Sequence, residues 1–170
     1  MKPTMSFQDW CTQNHAYLIL HFYHEGKNPI PPDEIGFSSR NHARFRCHVC
    51  GLSWRRTLNN ITNHPINQTC PYCERRKPSP FYNLATEYPE LKEEWDNEKN
   101  LFPPETCLPH SKRSVYWHCA KNHYWKDVIG DRAKTADKAR RSGFPVCPYC
   151  SGARISATYN LAIEYPEVSR

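Results

Sequence analysis

The chain has 170 residues and a formal net charge of +6, and it carries 15 prolines, nine cysteines, five tryptophans, ten tyrosines and seven phenylalanines. So many aromatics exclude a disordered polymer, while frequent proline and sparse aliphatic residues exclude one large oil-like core; small domains of this kind need staples. No apolar run reaches the length of a membrane span and no apolar signal region opens the chain, which predicts a cytoplasmic protein without a membrane partner whose cysteines ligate metal rather than pair as disulfides.

The first stretch, up to Asn28, mixes aromatic and aliphatic residues, and Trp10, Tyr17, Leu18, Leu20 and Phe22 are expected along one side of a short helix. Arg44-Phe45 then leads into Cys47-His-Val-Cys50, and Trp54-Arg-Arg-Thr-Leu58 alternates as a strand does. Together they predict a hairpin at a metal knuckle. Cys70-Pro-Tyr-Cys73 supplies a second pair of thiols, its proline allowing a sharp turn between the two sulfurs. Two short-spaced pairs separated by a couple of dozen residues suit tetrahedral zinc.

From here the chain repeats itself. Pro31-Pro32 aligns with Pro103-Pro104, Phe45 with Trp117, Cys47 with Cys119, Cys50 with His123, Trp54 with Trp125, and Cys70–Cys73 with Cys147–Cys150. Tyr82–Glu90 reappears almost unchanged as Tyr159–Glu167. The expected organisation is a first zinc module with its N-terminal helical segment over 1–80, a second over 81–158, and a tail over 159–170 that starts a third repeat or caps the array. The first zinc takes Cys47, Cys50, Cys70 and Cys73; the second takes Cys119, His123, Cys147 and Cys150. Cys11 and Cys107 are left over, and Cys107, which aligns with Ile35, reads as a small buried hydrophobe.

The segment joining the modules reads as a short helix interrupted at Pro89, with Leu84, Tyr88, Leu91 and Trp95 as its apolar stripe. No flexible linker separates the modules, so they are expected to pack in series. The second module carries an extra polar run, Asp131–Gly143, with helix-forming residues and a glycine stop.

Both zinc sites have four protein ligands, three or four of them thiolate, which fills the coordination sphere and quenches Lewis acidity, so both are expected to be structural. A nuclease centre would need more: between the first module's ligand pairs stand Asn59, Asn60, Asn63 and His64, without an acidic residue. In the second, Asp127, Asp131 and Asp137 lack a further histidine. Basic residues cluster instead. Arg55, Arg56, Arg75, Arg76 and Lys77 surround the first site; Lys126, Arg132, Lys134, Lys138, Arg140, Arg141 and Arg154 surround the second. Cations on rigid turns suit phosphate contacts, and interleaved aromatics can stack on bases. Trp54, Trp117 and Trp125 are instead expected to pack over the zinc loops.

The second unit, with Glu94-Trp95-Asp96, Glu98-Lys99-Asn100, Pro104, Tyr116-Trp117, Cys119, His123, Trp125 and Cys147 to Gly152, resembles the treble-clef zinc-ribbon repeats found in tandem in bacterial and phage proteins. The first unit follows the same pattern more loosely, with His21-Phe22-Tyr23 and Glu74-Arg75-Arg76 as departures. The resemblance implies a small zinc-stabilised α+β fold of two tandem treble-clef or zinc-ribbon-like modules, and nucleic acid as the presumed partner; such repeats often accompany nuclease domains. The reading is a non-enzymatic zinc protein that binds nucleic acid, DNA before RNA, through basic turns. A protein–protein adaptor is the alternative, and part of a metal-dependent nuclease the third.

Overall fold

The computed structural model describes residues 3–143 and 147–155. The expected tail over 159–170 lies outside them. The chain divides into two units, residues 1–77 and 78–170, and each builds the same short hairpin between helical segments.

The first unit opens with α1 (Phe7–Gln13) and α2 (Tyr17–His21). Ser6 starts α1 with a reciprocal cap: its Oγ accepts from the Asp9 amide at 3.0 Å, and its own amide donates to Asp9 Oδ2 at 3.3 Å. His15, at φ 53°, then breaks the chain, so the single helix expected here is two. The break turns a different stripe inward. Phe7, Cys11, Ile19, Phe22 and Tyr23 are buried, whereas Tyr17 and Leu18, expected to pack, are exposed.

Strands β1 (His42–Arg46) and β2 (Ser53–Thr57) form an antiparallel hairpin, with Ala43 opposite Arg56, Arg44 opposite Arg55 and Phe45 opposite Trp54. Alternation sends Phe45 and Trp54 inward, where their rings stack at 5.7 Å. The free edge of β1 is paired too. Arg46 donates its amide to the Phe22 carbonyl at 2.7 Å, and the Asn28 side chain bonds both backbone groups of Arg44 at 2.8 Å. A short helix α3 (Leu58–Asn63), capped by Thr57, brings the chain towards the second knuckle.

The second unit repeats this plan with α4 (Leu84–Glu87), α5 (Pro89–Glu93), β3 (Ser114–His118), β4 (Tyr124–Val128) and α6 (Ile129–Ser142). Pro89 interrupts the first helix as its sequence predicts, and Leu84, Leu91 and Trp95 are buried with Tyr88 partly so. Cys107 is buried, and its carbonyl accepts from the Leu84 amide at 2.8 Å, just as Ile35 accepts from Phe7 at 2.7 Å. Asn100 repeats Asn28, bonding both backbone groups of Tyr116 at 2.8 and 2.9 Å. Trp95 meets Trp117 edge-on at 5.2 Å. Helix α6 is the polar run foreseen in the second module; Gly143, at φ 72°, ends it in the left-handed conformation that glycine adopts without penalty. Among the described residues no helix is long and apolar enough to cross a membrane.

Candidate metal centres and the basic surface around them

Each hairpin ends in a tight turn that carries two ligands, and the chain beyond the following helix brings back the other two. In the first unit Cys47 takes a backbone bond to the Leu52 carbonyl and accepts, through its own carbonyl, from Gly51 at 2.9 Å. Gly51, at φ 73°, makes that reversal. In the second unit the Cys119 amide donates to the His123 carbonyl at 3.1 Å, and Asn122 takes the left-handed position at φ 59°.

The four donor atoms of Cys47, Cys50, Cys70 and Cys73 lie within 4.8 Å of one another, as do those of Cys119, His123, Cys147 and Cys150. Tetrahedral zinc, with Zn–S near ~2.3 Å and Zn–N near ~2.0–2.1 Å, requires edges of about 3.8 Å between sulfurs and about 3.5–3.6 Å from nitrogen to sulfur. The structure gives 3.7 Å for Cys47–Cys73 and for Cys50–Cys70. In the second cluster Cys119 and Cys150 are 3.9 Å apart, and His123 Nδ1 lies 3.5, 3.6 and 3.5 Å from Cys119, Cys147 and Cys150. The fit is close enough to name Nδ1 as the histidine donor. His48 and His118, which adjoin ligand cysteines, belong to neither cluster; His48 instead lies 2.9 Å from the His21 carbonyl through Nε2.

The donor chemistry agrees. Burial pushes the Cys47 thiol up, but the amides of Cys50 and Val49 aimed at its sulfur outweigh this and hold it below the ordinary range. Cys119 is lowered likewise, burial being outweighed by the amides of His123 and Lys121. Burial and the crowding of neighbouring sulfurs drive Cys73 and Cys150 up, Cys150 to about 12. Sulfurs packed this tightly cannot all ionise without a cation among them, and a divalent ion removes that conflict. Two structural zincs, one per unit, fit these sets. Bound there, zinc supplies folding free energy that the thin cores lack.

The basic residues separate by position. Strand alternation sends Arg55 outward and Arg56 inward, where it donates to Asn60 Oδ1 at 2.8 Å and Asn67 Oδ1 at 2.9 Å. Arg76 is half-buried and donates to Thr69 Oγ1 at 2.7 Å; Lys77 is half-buried, and Arg75, Lys126, Lys134, Arg141 and Arg154 are exposed. Arg132, expected on the phosphate-binding surface, is a core residue. It is 1% exposed, pairs with Glu94, and sits 5.0 Å from the Trp125 ring and 5.8 Å from Trp117. Arg140 is exposed but forked onto Glu90 at 2.7 and 2.9 Å. Lys134 pairs with Asp131 at 2.8 Å.

Counting charges along the chain missed two arginines. Arg44 and Arg46 share the outward face of β1 with His42, and Arg44 lies directly across from Arg55. Period-two alternation around Ala43 and Phe45 is the signal that would have found them. Neither strand holds an acidic residue, and none of these three arginines is in an ion pair among the described residues. In the second hairpin the matching positions hold Tyr116, His118 and Lys126, with Lys126 Nζ 5.3 Å from the Tyr116 ring.

A family model described as a probable treble clef zinc finger domain matches the chain twice, over residues 19–76 and 91–153, one match on each cluster. No curated protein matches it.

Proposed function

Because the chain belongs to the family described as a probable treble clef zinc finger domain, we propose that it is a non-enzymatic nucleic-acid-binding protein, with DNA as the first expected partner and RNA the second. The observation that carries this reading is the outward face of the first hairpin. Arg44 stands opposite Arg55 with Arg46 beside them. Like charges directly across a strand pair destabilise it by up to roughly 1 kcal/mol, a cost that an anion bound to this face would relieve. A phosphate backbone supplies anions at regular spacing and releases its counterions on contact.

Competing readings have less support. An adaptor would offer a basic partner the acidic residues between Glu87 and Glu98, and three of those six are already engaged within their own unit, Glu90 by Arg140, Glu94 by Arg132 and Asp96 by Lys99. For a nuclease, the groups of three or more His, Cys, Asp or Glu able to hold a metal among the described residues are the two thiolate-rich clusters. Asn60 is committed to Arg56 and Asn67.

The arginines could alternatively serve to balance the negative charge of a four-thiolate zinc site, and one experiment separates the two roles. The zinc-loaded 170-residue chain and its Arg44→Ala/Arg55→Ala variant are titrated with fluorescent duplex and single-stranded DNA at two salt concentrations. The variant should bind more weakly, with a slope of log affinity against log salt shallower by roughly 1.4–1.8, while holding two zincs per chain. Unchanged binding and slope, or zinc lost instead, would defeat the proposal, as would no binding by the wild type at low salt.

A further inference from the structure

Resting on that reading, we propose that the first unit takes a single strand, not a duplex: one base stacks in an aromatic groove beside the first knuckle while the phosphates run along the hairpin arginines. The groove has a volume of about 780 Å³ and is walled by Tyr17, Leu20, His21 and His48, with Arg46 at its edge. That is ample for a nucleotide, since small-ligand pockets span ~300–1,000 Å³.

Its walls are unusual for a surface. Tyr17 is 55% exposed at the head of α2, where Ile19 takes the buried position instead. The rings of His21 and His48 lie 4.4 Å apart, and the contact of His48 Nε2 with the His21 carbonyl at 2.9 Å fixes that ring. A smaller groove of about 320 Å³, lined by Lys27, Arg44 and Ser53, shares His24, Arg46 and Gly51 with the first. The two grooves therefore adjoin, the larger carrying most of the aromatic side chains and the smaller adding Lys27 and Arg44. Single-strand binders combine these two surfaces, and an unpaired base enters such a groove without the unpairing cost that a duplex would bear. Glu25 also lines the larger groove and offers an acceptor to a base amino group.

The repeat supplies an internal comparison. The bridges Tyr23–Phe45 and Trp95–Trp117 match Tyr23 to Trp95, one residue away from the alignment of His21-Phe22-Tyr23 with Glu94-Trp95-Asp96 expected from sequence. Scaffold positions in this register are kept between the units as large apolar groups: Ile19 and Leu91, Tyr23 and Trp95, Phe45 and Trp117 are all buried. Groove positions are not. Where the first unit has Tyr17, His21 and His48, the second has Pro89, Glu93 and Ala120. The aromatic walls are thus an addition to the common frame rather than part of what holds it together.

The test uses the zinc-loaded 170-residue chain with four probes of equal length: oligothymidylate, oligouridylate, an abasic single strand and a DNA duplex. Oligothymidylate should bind on the order of ten-fold more tightly than the abasic strand. Tyr17→Ala should remove that advantage and leave abasic binding unchanged, whereas Tyr17→Phe keeps it. Zinc content and circular dichroism confirm that each variant folds. The ratio of oligouridylate to oligothymidylate affinity assigns the strand to RNA or DNA, and a base-dependent advantage with either supports the groove. Salt-dependent binding that is as strong for the duplex or the abasic strand, or is unaltered by Tyr17→Ala, overturns the groove and leaves the broader reading standing. Absence of binding to all four probes removes both.

Discussion

Arg132 and Arg56 show what a single residue can hide. In sequence both looked like surface cations; in the fold each lies on the core side of its element. Arg132 belongs to the stripe Ile129, Arg132, Ala133 and Ala136, spaced as one helical face, and all four are buried. That spacing could have been read in advance; what the sequence could not show was the partner, Glu94, which precedes the pair of tryptophans by a long loop. A guanidinium packed over Trp117 and Trp125 loses its water and takes a counter-charge from Glu94. Glu94 pays for this: burial raises its carboxyl above the ordinary range despite the opposing charge of Arg132. Removing only the carboxylate leaves a buried positive charge, so Glu94→Ala should destabilise the second unit by about 3–5 kcal/mol. Replacing the cation by an apolar group of similar length, Arg132→Met in a Glu94→Gln background, should cost much less. Chemical denaturation of the zinc-loaded protein followed by tryptophan fluorescence measures both, and equal losses would refute the account.

At the level of the elements, the hairpins were foreseen because apolar and charged residues alternate around fixed ligand spacings, a pattern with few other solutions. The helical lead-in to the first unit was harder. Its apolar residues were visible, but the left-handed turn at His15 that chooses Ile19 over Tyr17 carries no glycine or proline to announce it. Asn28 and Asn100 were visible only as a repeated letter. Each is a side-chain substitute for a third strand, satisfying one amide and one carbonyl on the open edge of a two-stranded sheet. An isolated two-stranded hairpin is marginal in water, so such edge contacts help to hold its geometry. Asn100→Ala should therefore cost about 1–3 kcal/mol through two lost hydrogen bonds, and should speed amide hydrogen exchange at Tyr116. Asn100→Asp keeps the acceptor for the Tyr116 amide but loses the donor to its carbonyl, and should fall between the two. Exchange at Tyr116 unaltered in Asn100→Ala would show that the edge is held by other contacts.

For the whole molecule, metal changes both the stability and the charge. Seven thiolates and two divalent cations together add three negative charges, so zinc loading lowers the formal charge from +6 to +3. A modest net charge cannot by itself concentrate nucleic acid, which places the weight of any binding on where the arginines stand. The same thiolates set the response to acid. An unfolded cysteine carries its proton below about pH 8.5, whereas a zinc-bound one does not, so folding with metal releases protons and stability falls as pH drops beneath that range. Each site binds several protons for each zinc it surrenders, which makes release steep. Lowering the pH from 8 should eject zinc cooperatively, seen with a metal indicator, and the loss of ordered structure by circular dichroism should track it. Cys147→Ser breaks only the second cluster; it should leave one zinc per chain and keep Trp54 in its folded environment while Trp95, Trp117 and Trp125 become exposed. Both clusters failing together in that variant, or a fold that persists after zinc has gone, would mean that the apolar cores carry the structure without the metal.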